Sequence, residues 1–245
     1  MTAATERRLA VFDIDGTLTQ TAHVDETCYA EAIRLEWNVE NISTDWGAYE
    51  HSTDNAIASE VSRTRRGRDA TVEELAALRD RFVGLLRAQL ACDSGLFRET
   101  PGGSRVFEEL RARGWDVAIA TGGWTPSARL KLLTAGIPTD GVAAAFACDA
   151  RPRAEIIRLA MARADALAGR AASRVAYLGD GRWDLKASRE LGVGFVGVGT
   201  GQRAESLRGA GATCVFADFR DVDGLVAALA REAASPCTKP DRCRS

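Results

Sequence analysis

The sequence predicts an α/β fold: an open parallel sheet covered by helices on both faces, interrupted after its first strand by a long helical insert. Three observations carry this. Short apolar runs that end abruptly at Asp or Gly, as buried strands do, recur at 9–13, 117–121 and 175–178. From 117 onward such runs alternate with segments of helical period, the signature of strand–helix–strand units. Between about 20 and 99 there is helical period but no strand run, over a stretch too long for a loop.

The first strand is Leu9-Ala10-Val11-Phe12, closing on Asp13-Ile14-Asp15-Gly16-Thr17. In the insert, Ala30, Ile33, Leu35 and Trp37 mark one helix, and Leu75, Leu78, Phe82, Leu85, Leu86 and Leu90 mark another. The strand at 117–121 ends in Thr121-Gly122-Gly123, and Thr125-Pro126 opens a helix over 125–135. There follow a strand at 142–147, a helix at 153–168, a strand at 175–178 and a helix at 184–191. The chain ends with a strand at 195–198, a helix at 204–209, a strand at 213–216 and a helix at 222–234. The tail 235–245, with two prolines and little apolar content, predicts disorder.

Chemistry gathers at the strand ends, where open α/β sheets bind ligands. Residues two apart on a strand point the same way, so Asp13 and Asp15 share one small space. Two anions there repel unless a cation or a shared proton relieves them. The alternative is an Asx-type turn with solvated carboxylates. A second acidic cluster, Gly179-Asp180-Gly181-Arg182-Trp183-Asp184, follows Val175-Ala176-Tyr177-Leu178. Asp180 and Asp184 read either as oxygen ligands for a metal or as an N-cap and a first-turn acid of a helix. Thr121 and Gly122, placed before a helix, offer backbone N–H groups to an anion such as phosphate, or form an ordinary strand-to-helix connection.

In this order, DxDGT, a distant Thr-Gly pair after a strand and a late GDGxxD resemble the haloacid dehalogenase superfamily, and the likeness spans roughly residues 8 to 232. The helical insert resembles the C1-type cap of phosphoglycolate-phosphatase-like members. The resemblance implies a Rossmann-like core of residues 1–19 and 100–234, with a cap at 20–99. It implies an Mg²⁺-dependent phosphatase acting on a small phosphorylated metabolite. Asp13 would be the nucleophile, Asp15 the acid and base, and Gly16, Thr121 and Gly122 part of the phosphate seat. Asp13, the Asp15 backbone carbonyl, Asp180 and Asp184 would hold the metal.

The family's usual lysine near the start of a later helix is missing from Cys148-Asp149-Ala150-Arg151-Pro152-Arg153. Either Arg151 or Arg153 would take its place, with Arg153 slightly favoured by its Arg-x-Glu-Ile-Ile setting. Within the insert, the aromatic and polar run from Asp45 to Asp54 points to a leaving-group pocket formed by Trp46, Tyr49, His51 and Asp54, or to a turn whose aromatics pack the cap. His23 either lines the entrance or packs at the cap hinge.

Several activities are disfavoured. Family dehalogenases lack the second aspartate, which is present here as Asp15. Phosphonatases need a cap lysine for a Schiff base, and Lys131, Lys186 and Lys239 all fall outside the insert. Gly192-Val193-Gly194-Phe195-Val196-Gly197 matches a dinucleotide fingerprint literally but precedes a strand instead of following one. A sugar phosphomutase using the same two aspartates stays open, as does a catalytically silent scaffold.

A net charge of -2 argues against a nucleic-acid partner, and no apolar run is long enough for a membrane span. The polar N-terminus is unlike a signal peptide, so a cytoplasmic enzyme is expected. Its oligomeric state cannot be read from the residues. Six cysteines, Cys28, Cys92, Cys148, Cys214, Cys237 and Cys243, include no CxxC pair, which indicates neither a zinc ribbon nor a disulfide framework.

Overall fold

The computed structural model describes residues 6–234. Six strands form one parallel sheet in the order β3-β2-β1-β4-β5-β6. They are β1 (Arg8–Phe12), β2 (Trp115–Ala120), β3 (Ala143–Ala145), β4 (Arg174–Gly179), β5 (Gly194–Val198) and β6 (Val215–Phe216). The strand order reverses at β1, because the chain winds to β2 and β3 on one side and to β4, β5 and β6 on the other. Ligand crevices form at such switch points.

Nine α-helices are present among the described residues. The insert between β1 and β2 carries α1 (Ala22–Trp37), α2 (Asp54–Val61) and α3 (Val72–Cys92), and α4 (Gly103–Ala112) leads into β2. The other crossovers use α5 (Thr125–Thr134), α6 (Arg153–Ala168), α7 (Arg182–Leu191) and α8 (Gly201–Gly209), with α9 (Val222–Glu232) closing the fold.

Alternation along β1 divides the apolar interior into two layers. Leu9 and Val11 face a layer built with α6, α7 and the insert, while Ala10 and Phe12 face one built with α4, α5 and α9. Within the first layer Trp124, from the loop before α5, stacks near Tyr29 of α1 at 5.6 Å and Phe82 of α3 at 6.0 Å between ring centroids. The insert therefore shares an apolar core with the sheet. Helix α3 starts where Thr71 and Glu74 form a capping box, the Thr71 hydroxyl accepting from the Glu74 amide at 3.2 Å and the Glu74 carboxylate from the Thr71 amide at 2.9 Å.

The elements differ from expectation in four places, one of them helix α2, a third helix of the insert where two were marked. Strands expected at 142–147 and 213–216 shrink to Ala143–Ala145 and Val215–Phe216, both at sheet edges, where a strand pairs on one side only. Helix α4 was not anticipated. Its inward stripe of Val106, Phe107 and Leu110 is interrupted by arginines and glutamates and begins at Gly103, a weak helix start. The segment 235–245, with Cys237 and Cys243, lies outside the described residues. Among those described, no helix is long and apolar enough to cross a membrane.

Candidate active site

Register sets the site. Phe12, the last residue of β1, stands beside Ile119 of β2 and Leu178 of β4, so the residues just past all three strand ends meet at one edge. The Asp13 amide extends this pairing by donating to the Leu178 carbonyl at 2.9 Å. Beyond it the chain turns through Gly16 at φ +75°, a left-handed conformation that favours glycine. A side chain there would also collide with the Asp180 carboxylate and lie 2.6 Å from the Arg203 guanidinium.

Asp13, Asp180 and Asp184 converge as buried residues, with one carboxylate oxygen from each lying within 4.8 Å of the others. Asp184 is placed for both functions weighed from sequence. At the third position of α7 its Oδ2 accepts from the Gly181 amide at 3.0 Å, while its Oδ1 faces Arg153 at 2.8 Å and the Tyr177 hydroxyl at 3.3 Å. Asp180 caps nothing, since the N-cap position belongs to Gly181. Its Oδ2 instead meets Arg203 at 3.0 Å.

Arg153, at the N-terminus of α6, is the cation inside this cluster. Its guanidinium donates to Asp13 at 3.2 Å, Asp184 at 2.8 Å and the Ser52 carbonyl at 2.9 Å. Arg151 is exposed and absent from the cavity wall, and contributes only its carbonyl, which accepts from Thr53 at 2.7 Å.

Burial, then the neighbouring Asp184 charge, pushes the Asp13 carboxyl up to about 7. Asp180 is held well above the carboxylate range by burial, although Arg203 pulls it down. Asp184 is also raised, with burial outweighing Arg153. Carboxylates that repel one another and resist desolvation are suited to a bound divalent cation, which relieves both penalties. The donor set of hard oxygens fits Mg²⁺.

Thr121 and Gly122 sit beside this cluster, but the anion seat is smaller than the sequence suggested. The Thr121 amide, one of the two expected donors, is engaged by the Ala145 carbonyl at 3.2 Å, and the amides that follow are engaged too, Gly123 by the Thr121 hydroxyl at 3.2 Å and Trp124 by Asp54 Oδ2 at 2.8 Å. Gly122 is confined as well. Its carbonyl accepts from the Asp54 amide at 2.8 Å, and an added Cβ would stand 2.6 Å from the Ser52 carbonyl oxygen.

The insert closes over these groups to leave a cavity of about 780 Å³. Trp46 and Asp54 line it; Tyr49 and His51 do not. Tyr49 turns its hydroxyl to the Ser43 carbonyl at 2.9 Å and packs on Trp46, 6.2 Å between ring centroids, while His51 is half-buried beside Glu50. Of the four residues expected from sequence at a leaving-group pocket, the fold brings Trp46 and Asp54 to the cavity wall and leaves Tyr49 packed within the turn and His51 away from the cavity. His23 lines the cavity too, with Gln20, Asp25 and Glu26.

Lys131 escaped sequence reading, as did its partner Asp25 and Arg203, which meets Asp180. Lys131 of α5 is fully buried, its Nζ 2.5 Å from Asp15 Oδ2 and 2.5 Å from Asp25 Oδ1. Burial pulls its pKa down, but the Asp15 and Asp25 charges outweigh that and hold it above the ordinary lysine range. Asp25 is pushed up to about 7 by burial and then by Asp15, and Asp54 is raised well above its usual range by burial and then by Asp25. The available signal was position: Lys131 shares the inward stripe of α5 with Ser127 and Ala128, four and three residues earlier.

The sequence profile of the haloacid dehalogenase-like hydrolase family matches residues 8–192. No curated protein sequence matches the chain. Three solved structures share its fold. A hydrolase from Pseudomonas syringae is 20% identical, with a TM-score of 0.70, covering 90% of this chain and 98% of that one. A protein assigned as a β-phosphoglucomutase from Bacteroides vulgatus is 20% identical, with a TM-score of 0.68 and coverage of 94% and 91%. A protein assigned as a phosphoglycolate phosphatase from Haemophilus somnus 129PT is 18% identical, with a TM-score of 0.60 and coverage of 91% and 100%.

Proposed function

Because the chain belongs to the haloacid dehalogenase-like hydrolase family, we propose that it is an Mg²⁺-dependent phosphatase that hydrolyses a small phosphate monoester through an aspartyl-phosphate on Asp13. The observation that carries this reading is the convergence of buried Asp13, Asp180 and Asp184, with Arg153 paired to Asp13 and Asp184, beneath a cavity that Asp13, Asp15, Asp180 and Arg153 line.

Asp13 attacks phosphorus with a carboxylate oxygen, and the bond to the leaving oxygen breaks with its electron pair staying on that oxygen. Asp15 supplies the proton that the leaving group needs. Water then attacks the phosphoryl group, gives its proton to Asp15 and frees Asp13 and inorganic phosphate. Arg153 sits 3.2 Å from Asp13 and so holds the nucleophile, with its charge directed at the phosphoryl group; Gly16, Thr121 and Gly122 complete the seat. Asp13, the Asp15 carbonyl, Asp180 and Asp184 would hold Mg²⁺, which screens the repulsion between an anionic nucleophile and an anionic ester.

We assign residues 20–99 to the cap and residues 1–19 with 100–234 to the catalytic core. The cavity volume suits a small phosphorylated metabolite, within the roughly 300–1,000 Å³ of small-ligand sites. The test is release of inorganic phosphate from p-nitrophenyl phosphate. Release should require Mg²⁺ and fall on the order of 10⁴-fold or more in Asp13→Asn. A wild-type protein that releases none with Mg²⁺ present, from this ester or from a panel of phosphorylated metabolites, would be a silent scaffold.

A further inference from the structure

We propose that Lys131 is a positioning residue for Asp15: its ammonium, together with the Thr21 hydroxyl, holds the Asp15 carboxylate as the proton acceptor of the second half-reaction. The inference rests on the phosphatase reading above, in which Asp15 takes a proton from water. In that step a water oxygen bonds to phosphorus and the bond to the Asp13 oxygen breaks, its electron pair remaining on Asp13. The water proton passes to Asp15, leaving inorganic phosphate and a free nucleophile.

The geometry is specific to an acceptor. An ammonium can only donate, and Lys131 Nζ lies 2.5 Å from Asp15 Oδ2. On the other side the Thr21 hydroxyl donates to Asp15 Oδ1 at 2.6 Å, and Thr21 is itself steadied by the Thr19 hydroxyl at 2.5 Å. Each carboxylate oxygen is thus engaged by a donor from a different segment, which fixes the plane of the group. Each oxygen keeps a second lone-pair direction, and Asp15 stays on the cavity wall, so acceptor capacity remains for a water there.

Packing alone does not account for Lys131. A side chain with no exposed surface in an apolar helix stripe could be methionine at lower desolvation cost. What the ammonium adds is its two contacts. The second, to Asp25 in the first turn of α1, joins the insert to the same point, so the cap's seating and the orientation of Asp15 share one anchor.

A rapid-quench experiment with p-nitrophenyl phosphate and Mg²⁺ separates the two halves. Nitrophenolate release in the first turnover reports formation of the phosphoenzyme, for which this leaving group needs little help from an acid. Decay of the trapped phosphoenzyme reports hydrolysis. Lys131→Met should slow decay by roughly 10–100-fold while changing first-turnover release about threefold or less. Thr21→Val, a change of similar volume, should slow decay in the same direction by a smaller factor.

Equal slowing of both steps in Lys131→Met would mean a general disturbance of the site and would overturn the proposal. Decay at the wild-type rate in Thr21→Val would overturn it even if Lys131→Met could not be purified folded. Asp15→Asn serves as the reference. If it too leaves decay unchanged, the role of Asp15 is wrong and this inference falls with it. If it slows decay while the other two variants do not, only the clamp is wrong.

Discussion

Two buried ion clusters flank the end of β1, and they are built differently. In the first, Arg153 sits among Asp13, Asp180 and Asp184, all carried by the sheet side of the fold. In the second, Lys131 joins Asp15 to Asp25, one from the sheet's edge and one from the insert. The first has more negative charge than its arginine balances, which leaves a place for a divalent cation. The second has an ammonium that spends its contacts on orientation. Consecutive odd residues of one turn, Asp13 and Asp15, are thereby given separate environments, as a nucleophile and an acid-base group require.

The largest expected effect comes from emptying the first cluster of its cation. Arg153 is buried with two carboxylates, so Arg153→Met strands their charges and should lower stability by about 3–5 kcal/mol. Mg²⁺ should restore part of that loss. Thermal unfolding with and without Mg²⁺ checks this: the stabilisation by the ion should be larger in the variant than in the wild type. In Lys131→Met no such enlargement is expected, because the second cluster has no vacancy for a cation. Equal responses would erase the distinction between the clusters.

A smaller effect separates the acids. Asp180→Asn removes one of three converging oxygens and should weaken Mg²⁺ binding by at least about 10–100-fold in a calorimetric titration. Asp25→Asn, partly buried and in the other cluster, should leave Mg²⁺ affinity within about threefold of wild type.

The first cluster was legible in the sequence, whereas of the second only Asp15 was, for a physical reason. Asp13, Asp15, Asp180 and Asp184 stand at or just past strand ends, and a parallel sheet brings strand ends together whatever the details of packing. Arg153 over Arg151 was favoured by its place at a helix start. Lys131, by contrast, meets Asp15 and Asp25 only through the tertiary placement of α5 against the insert, and nothing local to it names those partners. That Tyr49 and His51 lie off the cavity wall was hidden for a related reason, since composition shows that a turn is aromatic but not which way it faces. Helix α4 was hidden because its charged positions diluted a three-residue apolar stripe.

The finest distinction between the clusters lies in their response to pH. Asp13 and Asp25 are each raised from an ordinary value of 3.8 to about 7. Between those limits the folded protein keeps protons that the unfolded chain has released, so stability falls as pH rises from about 4 to about 7, and no further loss from these groups follows above it. In the middle of that window, each such proton is worth about 1.4 kcal/mol per pH unit. Mg²⁺ binds ionised carboxylates, so it should remove the share due to Asp13 and leave the share due to Asp25. Chemical denaturation at pH 5.5 and 6.5 reads this directly. The metal-free protein should lose stability between the two, Mg²⁺ should lessen the loss, and Asp25→Asn with Mg²⁺ should lessen it further, with buried Asp54 keeping a share of its own. If Mg²⁺ alone flattened the profile, Asp25 would not retain its proton and the two clusters would behave electrostatically as one.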